Sequence, residues 1–393
     1  MPFSASAMPL VCSLKGHHKE VAGLVRANVF TERIETLRSI GKKAQIDAFL
    51  VVSDKNTRYL AGFSALAIER FAGILVPVNA KNPIVIVPKL EESKARERSA
   101  FKEIRAYSDS ESPAIVVGKA VKELGLERGT FGVEGFLPFK FYRMLVGCSS
   151  EIKIKDASTL FSELRIVKSE EELGKIEKAA AIVAEGIKAG IDFIKPGISE
   201  LNISCQIERV IRDAGGESIP FCIVLSGPNS ALPHGETSKR KVRQTDVVLM
   251  DVGAVYDGYY GDLTRTVFVG GAAPKKREIY DVVSESNEKA IASVRPGIAA
   301  EKVDATARDV IEKAGYGQNF THRTGHGLGL DVHEEPYICE GNTIALKPGM
   351  VFTIEPGIYL YGEFGVRIED NIAVSTTGKR MLSHISKDFT IVQ

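Results

Sequence analysis

Val247–Gly270, VVLMDVGAVYDGYYGDLTRTVFVG, is the stretch whose reading decides the fold. It reads as two apolar strands, Val247–Val255 and Asp262–Val269, joined by a turn at Asp257-Gly258, a dipeptide that tolerates the positive φ angles of a two-residue hairpin loop. Each strand carries an aspartate where an apolar residue belongs, Asp251 in the first and Asp262 in the second. With Asp257 and Gly258 as the loop, Asp251 faces Thr264 and Gly253 faces Asp262. Both carboxylates then leave the same face as diagonal neighbours, about 7–8 Å apart at the backbone. Two buried carboxylates repel and lose hydration at a cost of roughly several kcal/mol each unless a cation lies between them. The alternative leaves one aspartate at an exposed edge and pairs the other with Arg265.

Further candidate ligands follow downstream. Thr321–Pro336, THRTGHGLGLDVHEEP, places glycines around His326 and Leu328, which lets backbone approach a site closely. Met350–Glu355 (MVFTIE), stopped by Pro356-Gly357, and Gly365–Val374 (GVRIEDNIAV) read as apolar strands, each with an acid, Glu355 or Glu369, where parity predicts burial. Arg367 lies two residues before Glu369 and so on the same strand face. It is placed either to bind a substrate carboxylate or to brace a metal-ligand acid. The collected set is Asp251, Asp262, His326, Glu355 and Glu369: four carboxylates and one neutral imidazole, a charge that two divalent ions balance and one does not. Oxygen-rich ligation with a single imidazole suits Mn²⁺, Co²⁺, Fe²⁺ or Zn²⁺ better than copper. Two such ions about 3.5–4 Å apart hold a bridging water as hydroxide near neutral pH and polarise a carbonyl.

Around this centre, 393 residues leave room for two domains. Hydrophobic content of 44% with 26% charged residues is globular composition, and a net charge of +1 gives no basic surface for nucleic acid. No apolar run reaches the roughly 20 residues of a membrane span, so no membrane partner is expected. Five scattered cysteines without a C-x-x-C pair fit a reducing, cytoplasmic compartment. Residues 1–28, with the adjacent His17 and His18, read as an N-terminal tail without a secretory signal.

The α/β alternation of a first domain runs over 29–160: a helix over Thr31–Lys43, strands at Ala48–Val52, Phe71–Val78, Pro83–Pro88 and Phe131–Glu134, and helices over Lys89–Ser99 and Ser112–Leu124. Asp54–Phe63 reads as a surface loop, and Glu151–Val167 as a linker or edge strand. The second domain, 161–393, opens with capping-box spacing at Ser169 and Glu172 before a helix to about Ile194. An internal echo follows. Pro196-Gly197-Ile198 leads into a helix ending Arg212–Gly215, and Pro296-Gly297-Ile298 into one ending Glu312–Gly315. A repeated helix–PG–helix–strands unit implies two halves related by a pseudo-two-fold with a site between them.

The segments DVGAVYDGYYGDLTRT, HRTGHGLGLDVHEEPYI, FTIEPGIY and GVRIEDNI closely resemble the Xaa-Pro dipeptidase (prolidase) and aminopeptidase P group of pita-bread metallopeptidases, and SGPNSALPHG resembles the group's substrate-histidine loop. The resemblance covers about Ser169–Gln393; the first domain is similar, in general pattern, to the creatinase-type N-terminal domain. It implies metal ligation by Asp251, Asp262, His326, Glu355 and Glu369, with Mn or Co favoured over Zn or Fe. Glu355 would double as the proton-handling carboxylate, and His234 and His333 would act on substrate beside the scissile bond. On their own, His234 reads equally as a surface residue and His333 as a partner of Glu334 or Glu335. The implied activity is hydrolysis of short proline-containing peptides before proline, in a homodimer. Aminopeptidase P activity on longer peptides is the alternative. Methionine aminopeptidases generally lack so large a first domain, creatinase-like amidinohydrolases lack the metal set, and non-catalytic pita-bread binding modules typically lose ligands.

Overall fold

The computed structural model describes residues 28–65, 69–79 and 82–393, and the chain divides into two units between Leu164 and Arg165. The tail expected over 1–28, with its two histidines, lies outside the described residues except for Asn28.

The first unit is built on a six-stranded mixed sheet in the order Ile104–Tyr107, Ile84–Pro88, Gly73–Pro77, Ala48–Val51, Thr130–Val133, Lys153–Asp156. Its inner strands, AFLV, GILVP and IVIVP, are apolar at every position and buried throughout. That continuous pattern belongs to a sheet covered on both faces. Lys153–Asp156 is the edge strand expected near the end of the unit, and a helix, Ser158–Arg165, follows it. The loop expected over Asp54–Phe63 is instead a helix, Asp54–Ala61. Ser53 caps it by accepting from the Asn56 N–H, and Gly62 ends it at φ 70°. The buried Glu134 carboxylate further fixes its entry by accepting from the N–H groups of Val52 and Ser53. Those partners lie far apart in sequence, so local polarity pointed the wrong way.

In the second unit the helix Glu170–Phe193 starts at the expected capping box, with Ser169 and Glu172 satisfying each other's backbone donors. The internal echo is a structural repeat. Gly197 and Gly297 have φ of 92° and 83°, and the helices that follow, Glu200–Asp213 and Ala300–Lys313, are of equal length. Gly197 N–H donates to Val242 O and Gly297 N–H to Leu346 O, both at 2.8 Å. Each half buries its helices against its own strands: Ile187, Ile203 and Ile207 pack with Val248, Met250 and Val252, while Val283, Ala307 and Ile311 pack with Phe352, Ile354 and Ile372. This is the two-half arrangement that the pita-bread resemblance implies.

The decisive hairpin forms in the expected register. Val247–Tyr256 pairs antiparallel with Tyr259–Val269, Asp251 opposite Thr264 and Gly253 opposite Asp262. The turn residues Asp257 and Gly258 have φ of 44° and 79°. Even-numbered residues of the first strand enter the core of their half, so Asp251 projects from the opposite face.

Of the two acidic strands of the second half, Val351–Ile354 ends where Pro356-Gly357 was expected to stop it, whereas the strand expected over Gly365–Val374 is broken in two. Val351–Ile354 pairs with Asp370–Val374 and Gly357–Leu360 with Phe364–Arg367, as separate sheets. The ladder stops at Ile354 opposite Asp370 and resumes at Gly357 opposite Arg367. Pro356, which has no N–H to donate, sits in the gap. Glu355 on one strand and Glu369 on the other therefore occupy the break, where side chains leave the regular alternation.

Candidate metal centre

The break is stitched to the hairpin by alternate residues. Asn371 Nδ2 donates to Asp262 O at 2.6 Å and the Asp262 N–H to Asn371 Oδ1 at 3.1 Å. Glu369 N–H donates to Thr264 O at 3.1 Å, and Thr266 Oγ1 to Arg367 O at 2.9 Å. Asp262 and Glu369 are thereby brought onto one floor. His326 is delivered by the short strand Gly325–Gly327, which lies against Val351–Ile354. A Cβ at residue 325 would lie 1.9 Å from Thr353 O, and one at residue 327 would lie 2.4 Å from Glu334 O, so this approach requires glycine on both sides of the histidine.

One ligand atom from each of Asp262, His326 and Glu369 falls within 4.8 Å of the others. His326 Nε2 lies 3.3 Å from Glu355 Oε1 and 3.8 Å from Asp262 Oδ2. His326 Nδ1 lies 3.1 Å from Gly327 O, an acceptor, so Nδ1 carries the proton and the Nε2 lone pair points at the carboxylates. Burial, then His333, pushes the imidazole down to about 3, which keeps it neutral. Burial, then the surrounding carboxylates, hold Asp262 and Glu369 well above the usual carboxylate range. Burial lifts Glu355 to about 7, even against the opposing charge of Arg367. Asp262 Oδ1 is buried with no hydrogen-bond partner among the described residues. Acceptors facing acceptors, with an orphaned carboxylate oxygen among them, are what a cation site looks like without its charge, and the donor set fits divalent ions.

Asp251, Glu355, His234, His333 and Arg367 line one cavity of about 230 Å³ together with Asp262, His326 and Glu369. All eight predicted site residues thus meet in one place. His333 is exposed at the rim, its ring centroid 4.0 Å from that of His326. It does not pair with Glu334, whose carboxylate is taken by Arg165 and Lys168. Burial, then Arg323, lowers the His333 pKa. His234 is exposed on the turn Leu232–Gly235, closed by the Gly235 N–H donating to Leu232 O.

Arg367 makes the contacts of a bracing residue. Its side chain is 3% exposed. Nε donates to Thr264 Oγ1 at 3.2 Å, Nη1 to the Tyr359 hydroxyl at 2.8 Å, and Nη2 forms an ion pair with Asp251. The fork is met by protein acceptors. Sequence reasoning missed what lies behind it. The Tyr359 hydroxyl, whose pKa burial pushes up to about 12, is 2.8 Å from His322 Nε2, and His322 Nδ1 is 2.7 Å from Arg323 O. His322 also lines the cavity, and burial takes it down to about 3, so it stays neutral. Its signal was the second histidine four residues before His326 in the same glycine-rich segment.

Residues 174–376 match metallopeptidase family M24, and residues 33–167 match the creatinase/prolidase N-terminal domain. The chain belongs to metallopeptidase family M24. It is 34% identical to the Xaa-Pro dipeptidase of Pyrococcus horikoshii, over 92% of this chain and 99% of that one. The crystal structure of prolidase from Thermococcus sibiricus superposes with a TM-score of 0.87 at 39% identity, over 92% of this chain and 99% of that one. An X-Pro aminopeptidase from Thermotoga maritima gives a TM-score of 0.80 at 32% identity, over 88% and 98%. Among the described residues no helix is long and apolar enough to cross a membrane.

Proposed function

We propose that this chain is an Xaa-Pro dipeptidase that holds two divalent metal ions and cleaves the bond before proline in short peptides. The observation that carries the reading is the convergence of Asp262, His326 and Glu369 within 4.8 Å at the floor of the cavity. Asp251 and Glu355 line the same walls. These five residues are the proposed ligands, and their four carboxylates balance two ions. Mn²⁺ or Co²⁺ is proposed over Zn²⁺ or Fe²⁺, in line with the resemblance. Residues 161–393 carry the chemistry in this reading, and 29–160 form the creatinase-type N-terminal domain. A cytoplasmic homodimer is proposed with it, on the cysteine pattern and the resemblance.

When bound, the ion pair supplies Lewis acidity toward the scissile carbonyl and makes water a competent nucleophile near neutral pH. The protein residues do the rest. Glu355, with 15% of its side chain exposed, faces the cavity. It takes the proton released by the attacking water and passes it to the leaving proline nitrogen. His234, His322 and His333 surround the substrate and orient the carbonyl and the leaving group. Arg367 acts as a positioning residue that fixes Asp251. A cavity of about 230 Å³ lies below the range of roughly 300–1,000 Å³ common for drug-sized ligands, which suits a dipeptide. The Thermotoga neighbour keeps X-Pro aminopeptidase activity as the second reading. The test compares proline release from a Xaa-Pro dipeptide with cleavage of a Xaa-Pro-Xaa tripeptide, with Mn²⁺ or Co²⁺ and then with a chelator. Dipeptide cleavage that outruns tripeptide cleavage and stops on chelation is expected; preference for the tripeptide would overturn the dipeptidase assignment.

A further inference from the structure

Glu200 is fully buried, yet its helix already has a cap: Ser199 accepts from the Asn202 N–H. The Glu200 carboxylate turns away from its own helix to a loop that begins and ends beside it. Oε1 accepts from the Ser226 N–H at 2.6 Å and the Ser226 hydroxyl at 2.7 Å. Oε2 accepts from the Ser238 N–H at 3.1 Å and the Ser238 hydroxyl at 2.6 Å. Asn229 Nδ2 donates to both oxygens, at 3.1 and 3.2 Å. Between Ser226 and Ser238 lies the turn that carries His234 into the cavity. The far side of this loop is fixed to the second half, where the Gly365 N–H donates to Ser230 Oγ at 2.9 Å, two residues before Arg367.

We infer that Glu200 is the positioning residue for His234: one buried charge closes both ends of the 226–238 loop and so sets where the imidazole stands over the metal floor. The inference rests on the substrate role proposed above for His234. A carboxylate suits the task because all its partners are donors, and hydrogen bonds to an ionised acceptor are the strong ones. A neutral amide of the same shape would turn its own N–H groups toward Ser226 or Ser238. A merely structural Glu200 would stabilise the fold without coupling to one histidine, and the two cases separate by experiment.

The experiment uses the full chain loaded with Mn²⁺ and the variants Glu200→Gln, His234→Ala, His333→Ala and the Glu200→Gln pairings with each histidine variant. Ser238→Ala removes one hydroxyl donor and keeps the carboxylate, so it serves if Glu200→Gln fails to fold. Glu200→Gln should speed amide hydrogen exchange across residues 227–237 at unchanged metal content. It should lower kcat/KM by about 10²-fold, the scale of an ångström of misplacement. Adding it to His234→Ala should cost little more, whereas adding it to His333→Ala should multiply the losses. Unchanged exchange in the loop, loss of metal, or full additivity with His234→Ala would overturn the inference. If His234→Ala alone leaves kcat/KM at wild type, the substrate role of His234 fails, and the exchange measurement still decides whether Glu200 holds the loop.

Discussion

Replacing Asp262 with asparagine should stabilise the metal-free protein and lose most of that advantage once metal is bound. In the structure Asp262 is 3% exposed, its Oδ1 has no hydrogen-bond partner among the described residues, and the ligand atoms of Asp262 and Glu369 lie within 4.8 Å. Two unit negative charges at that separation repel by about 3.5 kcal/mol at an effective dielectric near 20. Asparagine keeps the shape, removes one charge and offers N–H groups to Glu369 or to His326 Nε2. Partial protonation of the wild-type pair relieves some of the repulsion, so the net gain should be about 1–4 kcal/mol, as for other buried charges replaced by neutral groups. Metal works against that gain. Ligand at a hundred times its Kd stabilises by about 2.7 kcal/mol, and the asparagine variant, short of one anionic ligand, should lose most of that gain. The assay is urea unfolding of both proteins in chelator and in excess Mn²⁺, with midpoints compared at constant slope. A wild type more stable than Asp262→Asn in chelator would refute the argument that these carboxylates are held together against their own repulsion.

Three further outcomes are expected. Arg367→Lys keeps the charge but loses the fork to Asp251, Thr264 and Tyr359, so kcat/KM should fall about 10²-fold, equally on a Xaa-Pro dipeptide and on its C-terminal amide. A loss confined to the free carboxylate would restore the substrate-binding role. His322→Ala should lower kcat/KM at unchanged metal content, because its ring touches the cavity and the Tyr359 hydroxyl; metal loss in that variant would contradict this. Glu334 is buried, which raises its pKa, but Lys168 and Arg165 outweigh burial and hold it below the usual carboxylate range. Its contribution to stability is therefore complete above the unfolded-state pKa and is lost as pH falls through the lower folded value. Glu334→Gln should cost about 3–5 kcal/mol at neutral pH, a gap that narrows in acid below about pH 4. A gap constant from pH 7 to pH 3 in denaturant titrations would refute it.

What was legible in the sequence was whatever a short period or a local turn dictates. The Asp257-Gly258 turn fixed the register that sets Asp251 opposite Thr264, and the capping box fixed the start of the Glu170–Phe193 helix. Prolines and glycines at fixed offsets revealed the repeat, because the positive φ of Gly197 and Gly297 is a local demand. Partners distant in sequence left no such mark. The helix Asp54–Ala61 depends on Glu134, and the break at Glu355 and Glu369 depends on which strand pairs with which. Glu369 was picked by parity within Gly365–Val374, a strand the structure breaks in two, whereas the strand before Glu355 stops where Pro356-Gly357 was expected to stop it.

Arg265 illustrates the same limit from the other direction. As a charge inside DLTRTVFV it offered itself as the partner of Asp251 or Asp262, the reading that needed no metal. Strand alternation already opposes that pairing, since Asp262 and Thr264 share the face that looks at the site and Arg265 must leave from the other. There it is 2% exposed, with Nη2 at 2.7 Å from Asp370 Oδ1 and Nη1 donating to Glu369 O at 2.6 Å and Thr264 O at 2.8 Å. Nε and Nη2 also donate to the carbonyls of Ser386 and Ile385. The buried cation therefore neutralises Asp370, the acid next to Glu369, and holds the backbone of the break from behind. Among the described residues no lysine or arginine forms a salt bridge with Asp262 or Glu369, and Arg367, a guanidinium in the cavity wall, is taken by Asp251. That separation of charges, Arg265 with Asp370 on one face and the acidic cluster on the other, supports the proposed metal centre over the reading that pairs an aspartate with Arg265.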